Sequence, residues 1–248
     1  RQVACARAVG ADAVAHGCTG KGNDQVRFEL TYMALAPDLE VVAPWRSPDW
    51  TIVSREDALD YCARHNLPIP MKKSDLFSRD GNAWHLSHEG GPLENPWTPA
   101  PESMYRLTAS PADRPPAPET VTIGFDEGWP VSVDGRALDP VHLLAELNQR
   151  AGRHGVGRAD IVESRVVGMK SRGVYETPGG TVLFEALEDL CRLTLTHDVL
   201  RARAELAPRM ADLVYQGQWF APVRAALAAF VDKALEPVTG EVMVELFQ

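Results

Sequence analysis

A glycine-rich stretch, AHGCTGKGNDQVR, at residues 15–27 indicates the fold of the N-terminal part of this chain. Ala11–Ala15, which is mostly apolar, leads into it and has the pattern of a short buried strand. Asp24–Leu35 leads out of it with helical spacing, and Pro37 ends that helix. We expect the helix to bury one apolar face that contains Val26, Leu30 and Met33. The order strand, glycine loop, helix predicts part of a parallel α/β layer.

The flanking segments continue this alternation. Gln2–Val9 has the pattern of a helix end, and Leu39–Ala43 that of a second strand. Ser54 followed by Asp57 predicts the capping box of a further helix. Because Arg1 is not an initiator residue, we expect this parallel sheet to begin in sequence upstream of the chain.

The character of the sequence changes near Pro68. Lys72–Pro118 is rich in Pro, Gly, Ser and Trp, has little periodicity, and is expected to be irregular. Val121–Phe125 and Val131–Val133 predict an antiparallel hairpin. The helix Asp139–Arg153 is expected to turn Val141, Leu144, Leu147 and Ala151 inward. The later predicted elements are the strand Ile161–Met169, the helices Gly180–Thr196, Asp198–Tyr215 and Pro222–Leu235, and the strand Glu241–Phe247.

Composition narrows the classes of function. The net charge of −9 argues against a broad nucleic-acid surface, and no apolar run has the length of a membrane span. The 45% apolar and 24% charged residues are ordinary for a globular protein. The 4 cysteines form no CxxC pair, so we expect reduced thiols in a cytosolic protein rather than disulfides or zinc.

The glycine stretch carries a chemical signal of its own. Gly17, Gly20 and Gly22 allow backbone N–H groups to converge, the helix N-terminus adds partial positive charge, and Lys21 adds a full charge. This favours a bound anion, although Lys21 is followed by Gly22 and the loop is therefore not a Walker A sequence. The alternative is a plain strand-to-helix turn with a solvated lysine.

Polar residues at the start of the helix extend this signal. Asn23 and Asp24 lie at its first turn, and Arg27 lies one turn later on the same face, which suits a zwitterionic substrate beside a nucleotide. The alternative is that Asp24 caps the helix while Arg27 lies on the surface.

Two further polar clusters are ambiguous by themselves. Glu163 stands in an apolar strand, where a lone carboxylate is costly unless it is paired, and the cations Lys170 and Arg172 that follow suit an anionic ligand. The alternative to such a binding site is a hairpin with surface salt bridges. The loop between Ser78 and Ser87 signals only turns. His16, His85 and His88 lack metal-ligand spacing, so structural roles are expected and no metal site is predicted.

Longer motifs identify a family resemblance. The stretch HGCTGKGNDQVRFE from residue 16, LEVVAPWR from residue 39, GVGR from residue 155, MKSRGVYETP from residue 169 and LVYQGQW from residue 213 are together similar to argininosuccinate synthases. The resemblance covers essentially the whole chain. It implies an α/β fold: residues 1–67 as the C-terminal part of a parallel-sheet nucleotide domain of the ATP-pyrophosphatase type, and residues 68–248 as an α+β synthetase domain.

The resemblance also implies a reaction and a set of site residues. The family joins citrulline to aspartate, converting ATP to AMP and pyrophosphate with Mg²⁺ assisting. The ATP-binding residues are then Gly17, Cys18, Thr19, Gly20, Lys21 and Gly22. The aspartate-binding residues are Thr19, Asn23 and Asp24, and the citrulline-binding residues are Asn23, Arg27, Ser78, Ser87, Glu163 and Tyr175. Asp24 and Arg27 are the candidate catalytic residues, and we expect Glu163 and Tyr175 to approach Ser78 and Ser87 across one cleft.

Some family features are missing from this sequence. The first strand, the pyrophosphate-gripping loop SGGLDTS, two upstream citrulline contacts and a C-terminal arm are absent. The resemblance implies a homotetramer, and Leu213, Trp219 and Phe220 are expected to pack against another subunit. Two alternatives to an active enzyme of this family are a related amide-forming ATP pyrophosphatase and a substrate-binding or oligomer-forming fragment.

Overall fold

The computed structural model describes residues 1–20, 22–69 and 77–247. These residues divide into two compact units. The first unit contains the described residues up to 69 together with 164–170 and 206–228, and the second contains 77–163, 171–205 and 229–247.

The first unit is built on the predicted α/β alternation. Its elements are α1 (Gln2–Val9), β1 (Ala13–Ala15), α2 (Asp24–Leu35), β2 (Glu40–Val42) and α3 (Arg55–Arg64). The strands β1 and β2 pair in parallel, with Val14 opposite Val41, so the prediction of a parallel sheet is confirmed. The capping box of α3 is present, because the Ser54 side chain accepts from Asp57 N–H and the Asp57 side chain accepts from Ser54 N–H.

The predicted inner face of α2 is wrong in part. Met33 is 63% exposed, whereas Tyr32 is only 2% exposed and packs with Ala6 and Val14 in a small core. The Tyr32 hydroxyl donates a hydrogen bond of 2.5 Å to the side chain of Gln2, so the ring can be buried with its polar end satisfied. A buried tyrosine thus replaces the methionine expected from apolar spacing.

The larger core lies in the second unit, under a four-stranded antiparallel sheet of order β10-β5-β6-β7. Its strands are β5 (Glu119–Asp126), β6 (Trp129–Val133), β7 (Arg136–Ala137) and β10 (Gly240–Leu246), and the helices α4 (Pro140–Arg153) and α5 (Pro178–Thr194) share its core. The hairpin of β5 and β6 confirms that prediction. Val141, however, is 76% exposed and Leu143 is buried, because Asp139 caps α4 and the inward stripe runs through Leu143, Leu147 and Ala151.

A second sheet corrects two expectations from sequence. Its order is β3-β4-β9-β8, from β3 (Ser78–Gly81), β4 (Leu86–Glu89), β8 (Arg158–Ser164) and β9 (Lys170–Glu176). The stretch expected to be irregular therefore contains a hairpin; its residues 72–76 lie outside the described part. The strand expected over Ile161–Met169 ends at Ser164, because a turn with Gly168 at φ +87° starts the returning strand.

Two helices complete the described chain, α6 (His197–Tyr215) and α7 (Pro222–Leu235). Leu213 is 0% exposed and so is covered within the chain, contrary to expectation, whereas Trp219 and Phe220 are about half exposed. In the part of the chain that the structure describes, none of the helices has both the length and the apolar character needed to cross a bilayer.

Candidate functional site

In the first unit, the glycine loop runs from the end of β1 to the start of α2 and borders a cavity of about 450 Å³. A cavity of this size falls within the range of small-molecule sites, about 300–1,000 Å³. Its lining residues are Gln2, Ala15, His16, Gly17, Cys18, Thr19, Gly22, Asp24 and Phe28. Lys21 lies outside the described residues, and Gly20 forms part of the same loop.

A histidine holds the loop from its N-terminal side. The backbone N–H of Cys18 donates to His16 Nδ1 at 3.3 Å, and His16 Nε2 lies 3.0 Å from the carboxylate of Glu29. Arg46 donates to the same carboxylate at 2.6 Å. Burial raises the pKa of Glu29, but the hydrogen bonds from Arg46 and His16 outweigh it, so the pKa lies below its usual value and the carboxylate is ionised. His16 therefore has the structural role expected from its sequence context.

A glutamine holds the loop from the helix side. Gln25 is buried, and its side-chain amide donates to the carbonyls of Gly20 at 2.8 Å and Gly22 at 3.4 Å. At Gly20, a Cβ would lie 3.0 Å from the ring of Trp45, so the close approach of this ring favours glycine. The sequence did not identify Gln25, Glu29 and Arg46 as residues that hold the loop. Their only signal was their position: Gln25 and Glu29 lie in the first two turns of α2, and Arg46 lies just after β2.

Asp24 and Arg27 form an ordered pair at the first turn of α2. Arg27 donates to the Asp24 carboxylate at 2.9 Å and to the Tyr215 carbonyl at 3.0 Å, and its guanidinium lies 5.3 Å from the centre of the Tyr215 ring. The alternative in which Asp24 caps the helix and Arg27 lies on the surface is wrong, since Asn23 occupies the cap position and Arg27 is half-buried and held by the Tyr215 carbonyl. The Asn23 side-chain oxygen accepts from Val166 N–H at 2.8 Å, so the amide is also oriented.

Cys18 lies in the loop as a neutral thiol. Burial raises its pKa, and the nearby negative charge of Asp24 raises it further. The four cysteines, Cys5, Cys18, Cys62 and Cys191, are all free. Within the described ranges no group of three or more His, Cys, Asp or Glu side chains could hold a metal ion.

In the second unit, the other four predicted site residues lie on the sheet β3-β4-β9-β8, one on each strand. Ser87 pairs directly with Tyr175. Ser78 pairs with Glu89, which is two positions from Ser87 on the same strand. Because strand side chains alternate with a period of two and paired residues point to the same side, Ser78, Ser87 and Tyr175 share one face.

Glu163 lies on the same face at the edge strand β8. Two backbone bonds of 2.7 Å fix the pairing of β8 with β9, one from Thr177 N–H to Gly157 O and one from Arg165 N–H to Met169 O. Both fit a single antiparallel register, in which Glu163 is opposite Ser171 and on the side of Tyr175. We call Ser78, Ser87, Glu163 and Tyr175 the front-face residues.

The front face is partly covered. Ser87 is buried, Glu163 and Tyr175 are half-buried, and Ser78 is exposed. The ring of His85 packs edge-on against Tyr175 with centroids 5.4 Å apart. A mixture of hydroxyl groups and one carboxylate on an open sheet face can receive the ammonium and carboxylate of an amino acid.

The hairpin of β8 and β9 also carries the expected surface ion pairs. Arg172 bonds Asp160 at 2.8 Å and 2.7 Å and donates to the carbonyls of Asn95 and Thr98. The hydrogen bond from Arg172 holds the pKa of Asp160 below its usual value. Lys170 donates to the Ser164 hydroxyl. The alternative of a hairpin with surface salt bridges is therefore correct for Arg172, which pairs with Asp160; Glu163 is not part of that ion pair.

Comparison with known proteins finds two family models that together match most of the chain. Residues 1–68 match the model of the arginosuccinate synthase N-terminal HUP domain, and residues 77–248 match the arginosuccinate synthase C-terminal domain. The argininosuccinate synthase of Roseiflexus sp. (strain RS-1) is 57% identical over 248 residues, 100% of this chain and 60% of that protein. The enzyme of Syntrophus aciditrophicus (strain SB) is 50% identical over 248 residues, 100% of this chain and 62% of that protein.

A plant relative is similar to the same degree. The chloroplastic argininosuccinate synthase of Arabidopsis thaliana is 54% identical over 240 residues, which are 97% of this chain and 48% of that protein. The chain thus spans between 48% and 62% of the length of these three relatives. Since one family model alone covers residues 77–248, the chain belongs to the argininosuccinate synthase family.

Proposed function

We propose that the protein carrying this chain joins citrulline to aspartate in arginine biosynthesis, with ATP converted to AMP and pyrophosphate. The observation that carries the proposal is the 57% identity over the whole chain to an argininosuccinate synthase. The match spans the whole chain and so includes the segments that hold the glycine loop and the front-face residues. We further propose that residues 1–67 belong to the nucleotide-binding part and residues 68–248 to the synthetase part.

In the first unit, ATP binds at the loop of residues 17–22. The cavity of about 450 Å³ beside this loop has the size for a nucleotide, and the first turn of α2 supplies N–H groups without intrahelical partners. Thr19, Asn23 and Asp24 bind aspartate: the Asp24 carboxylate accepts from its amine, and the Asn23 amide is already oriented by Val166.

Asp24 and Arg27 are the proposed catalytic pair. The attacking amine of aspartate must lose a proton, and anionic oxygens gather around the reacting carbon. A carboxylate and a guanidinium 2.9 Å apart, with the guanidinium held by the Tyr215 carbonyl, are oriented before any substrate binds.

In the second unit, the front-face residues receive citrulline. Glu163 pairs with its α-ammonium, and the hydroxyl groups of Ser78, Ser87 and Tyr175 bond its amino-acid end. This assignment is supported by the shared sheet face, on which Ser87 and Tyr175 are direct partners.

The reaction proceeds in two displacements through a citrullyl-adenylate. The ureido oxygen of citrulline attacks the α-phosphorus of ATP, and the bond to pyrophosphate breaks. The amine of aspartate then attacks the activated ureido carbon, AMP leaves with the oxygen, and the amine proton is lost. Because the ureido oxygen is a poor leaving group, adenylation precedes displacement.

Mg²⁺ would accompany ATP rather than occupy a dedicated protein site. Mg²⁺ commonly binds substrate phosphates and waters with only one or two carboxylates. The described residues fit this mode, since the loop offers the Asp24 carboxylate but no group of three acidic, His or Cys ligands. The metal would neutralise phosphate charge.

We also propose a cytoplasmic homotetramer. The free cysteines and the half-exposed Trp219 and Phe220 support this assignment. Analytical ultracentrifugation of the product of the complete gene tests it, and a monomer at micromolar concentration would contradict it.

The test of the reaction is pyrophosphate release by the product of the complete gene, with ATP, citrulline and aspartate. We expect release to require citrulline and argininosuccinate to require both amino acids. Calorimetry of the 248-residue chain with citrulline separates binding from turnover. Release independent of citrulline would favour a related pyrophosphatase, and citrulline binding without release by the complete product would favour a binding protein.

A further inference from the structure

The back of the front-face sheet carries a buried polar chain. Arg79, His88 and Glu176 each follow a front-face residue directly in sequence, and each therefore points to the opposite side of the sheet. We call these three residues the back-face triad. Arg79 pairs with His88 across β3 and β4, so the triad crosses the same three strands as Ser78, Ser87 and Tyr175.

Glu176 is the anchor of the triad. It is 0% exposed, and its two oxygens accept from the backbone N–H groups of Arg106, Leu107 and Thr108 at 2.9 Å each. The Thr108 hydroxyl donates at 2.6 Å. Burial raises the pKa of Glu176, but the Thr108 hydroxyl and these N–H groups outweigh it, and the pKa lies below its usual value. A buried carboxylate with so many donors has one well-defined position.

His88 connects the anchor to the edge strand. Its Nε2 lies 2.7 Å from the second Glu176 oxygen, and Arg79 Nε donates to its Nδ1 at 3.1 Å. Since Nδ1 accepts, the ring proton is on Nε2 and points at Glu176. Each hydrogen bond in the triad therefore has a defined direction: Arg79 donates to His88, and His88 donates to Glu176.

We propose that the back-face triad sets the positions of Ser78, Ser87 and Tyr175 for binding of the amino-acid substrate. The inference rests on the proposed citrulline site. The reason is geometric: each triad residue shares a peptide bond with a front-face residue, so a shift of one side chain moves its neighbour on the other face. The triad residues are positioning residues, because none of them points to the front face.

An apolar back face would serve stability equally well. The same face already contains Val174, which packs with Leu93 and Met104 in a small buried cluster. Apolar contacts tolerate small slides of one strand against another, whereas hydrogen bonds between fixed partners do not. The hydrogen bonds of the back-face triad thus fix the register of the strands in a sheet that already has an apolar core.

The experiment uses the product of the complete gene and compares two variants of His88. Glutamine at this position keeps an N–H donor near the place of Nε2, whereas asparagine keeps only an acceptor near the place of Nδ1. We expect His88→Asn to raise the KM for citrulline about tenfold and His88→Gln to raise it about threefold or less. The KM for ATP should stay within about twofold in both, since its proposed loop is in the other unit.

Three further variants keep the test decisive. Glu176→Gln should raise the citrulline KM at least as much as His88→Asn, and if it fails to fold, Arg79→Met removes one donor from the half-buried edge of the triad instead. Ser87→Ala reports on the proposed site itself. An increase for Ser87→Ala without one for a folded His88→Asn overturns the inference and leaves the proposed function. No increase for Ser87→Ala overturns both the inference and the proposed citrulline site, while the reaction itself is tested by pyrophosphate release.

A purely structural role predicts a different pattern. In that case both the citrulline and the ATP kinetics change only through kcat, because the active fraction falls, and both KM values stay unchanged. That result would overturn the proposal. A selective rise in citrulline KM that His88→Gln reverses supports it.

Discussion

Replacing Glu176 by glutamine removes one charge from the most enclosed carboxylate of the back-face triad. The glutamine oxygen can take the place of the oxygen that accepts from Leu107 and Thr108. Its NH₂ group then faces two donors, the backbone N–H of Arg106 and Nε2–H of His88. The substitution therefore creates two donor–donor contacts in a site with 0% exposure.

The magnitude follows from these contacts. Hydrogen bonds to a charged group are worth roughly 1.5–3 kcal/mol each, and breaking a buried pair by removing one partner costs about 3–5 kcal/mol. His88 can change tautomer and accept from the new NH₂, but its Nδ1–H would then oppose Arg79. We expect Glu176→Gln to lower the free energy of unfolding by about 3–5 kcal/mol near pH 7.

The loss of unfolding free energy in Glu176→Gln should become smaller at low pH. The pKa of Glu176 is lowered in the folded state, so its stabilising contribution is full above its ordinary value of 4.5 and is lost as the pH falls through the folded-state pKa. The difference in stability between wild type and Glu176→Gln should therefore be constant from pH 8 to about 5 and shrink at lower pH.

Equilibrium urea unfolding followed by tryptophan fluorescence at a series of pH values measures this difference. The matched control is Glu241→Gln, which changes an exposed carboxylate on β10 and should alter stability by less than about 0.5 kcal/mol. A difference below about 1 kcal/mol at pH 7, or one that grows on acidification, would refute the reasoning.

Three other substitutions have definite expected outcomes. Glu163→Gln should weaken citrulline binding about tenfold to a hundredfold and leave ATP binding unchanged, as measured by calorimetry; equal losses would indicate misfolding. Gly152→Ala would place a Cβ 2.2 Å from the Leu107 carbonyl oxygen, so despite better helix propensity it should destabilise by about 1–2 kcal/mol in thermal unfolding, and a stabilised variant would contradict this. Arg46→Met should raise the pKa of Glu29, because burial then lacks its main counterweight; an unchanged midpoint in a carboxyl NMR titration would be inconsistent.

Local sequence signals predicted the first unit well. Asp24–Leu35 has the predicted bounds because Asn23, Asp24 and Pro37 mark a start and a stop within a few residues. The Ser54 capping box is likewise a local interaction between side chains and nearby N–H groups. Parallel pairing followed from the strand–helix–strand order alone, without knowledge of distant partners.

The second sheet could not be predicted in this way. Ser78–Gly81 and Leu86–Glu89 are short and polar, so they lack the alternation that identifies strands. The strand that pairs with Leu86–Glu89 on its other side, β9, lies far along the chain, and the bond between His88 and Glu176 spans 88 positions. The expectation that His88 has a structural role was correct, but its carboxylate partner was visible only in three dimensions.

The alternation of faces on this sheet has a practical consequence for protein engineering. A library intended to alter the proposed amino-acid site can vary positions 78, 87 and 175, whose side chains share one side of the sheet. Positions 79, 88 and 176 should be held constant in every member, although each is the immediate sequence neighbour of a varied one. Randomising contiguous pairs such as Ser87 and His88 would also disrupt the buried hydrogen bonds behind the sheet, whereas randomising only codons 78, 87 and 175 would leave those bonds intact.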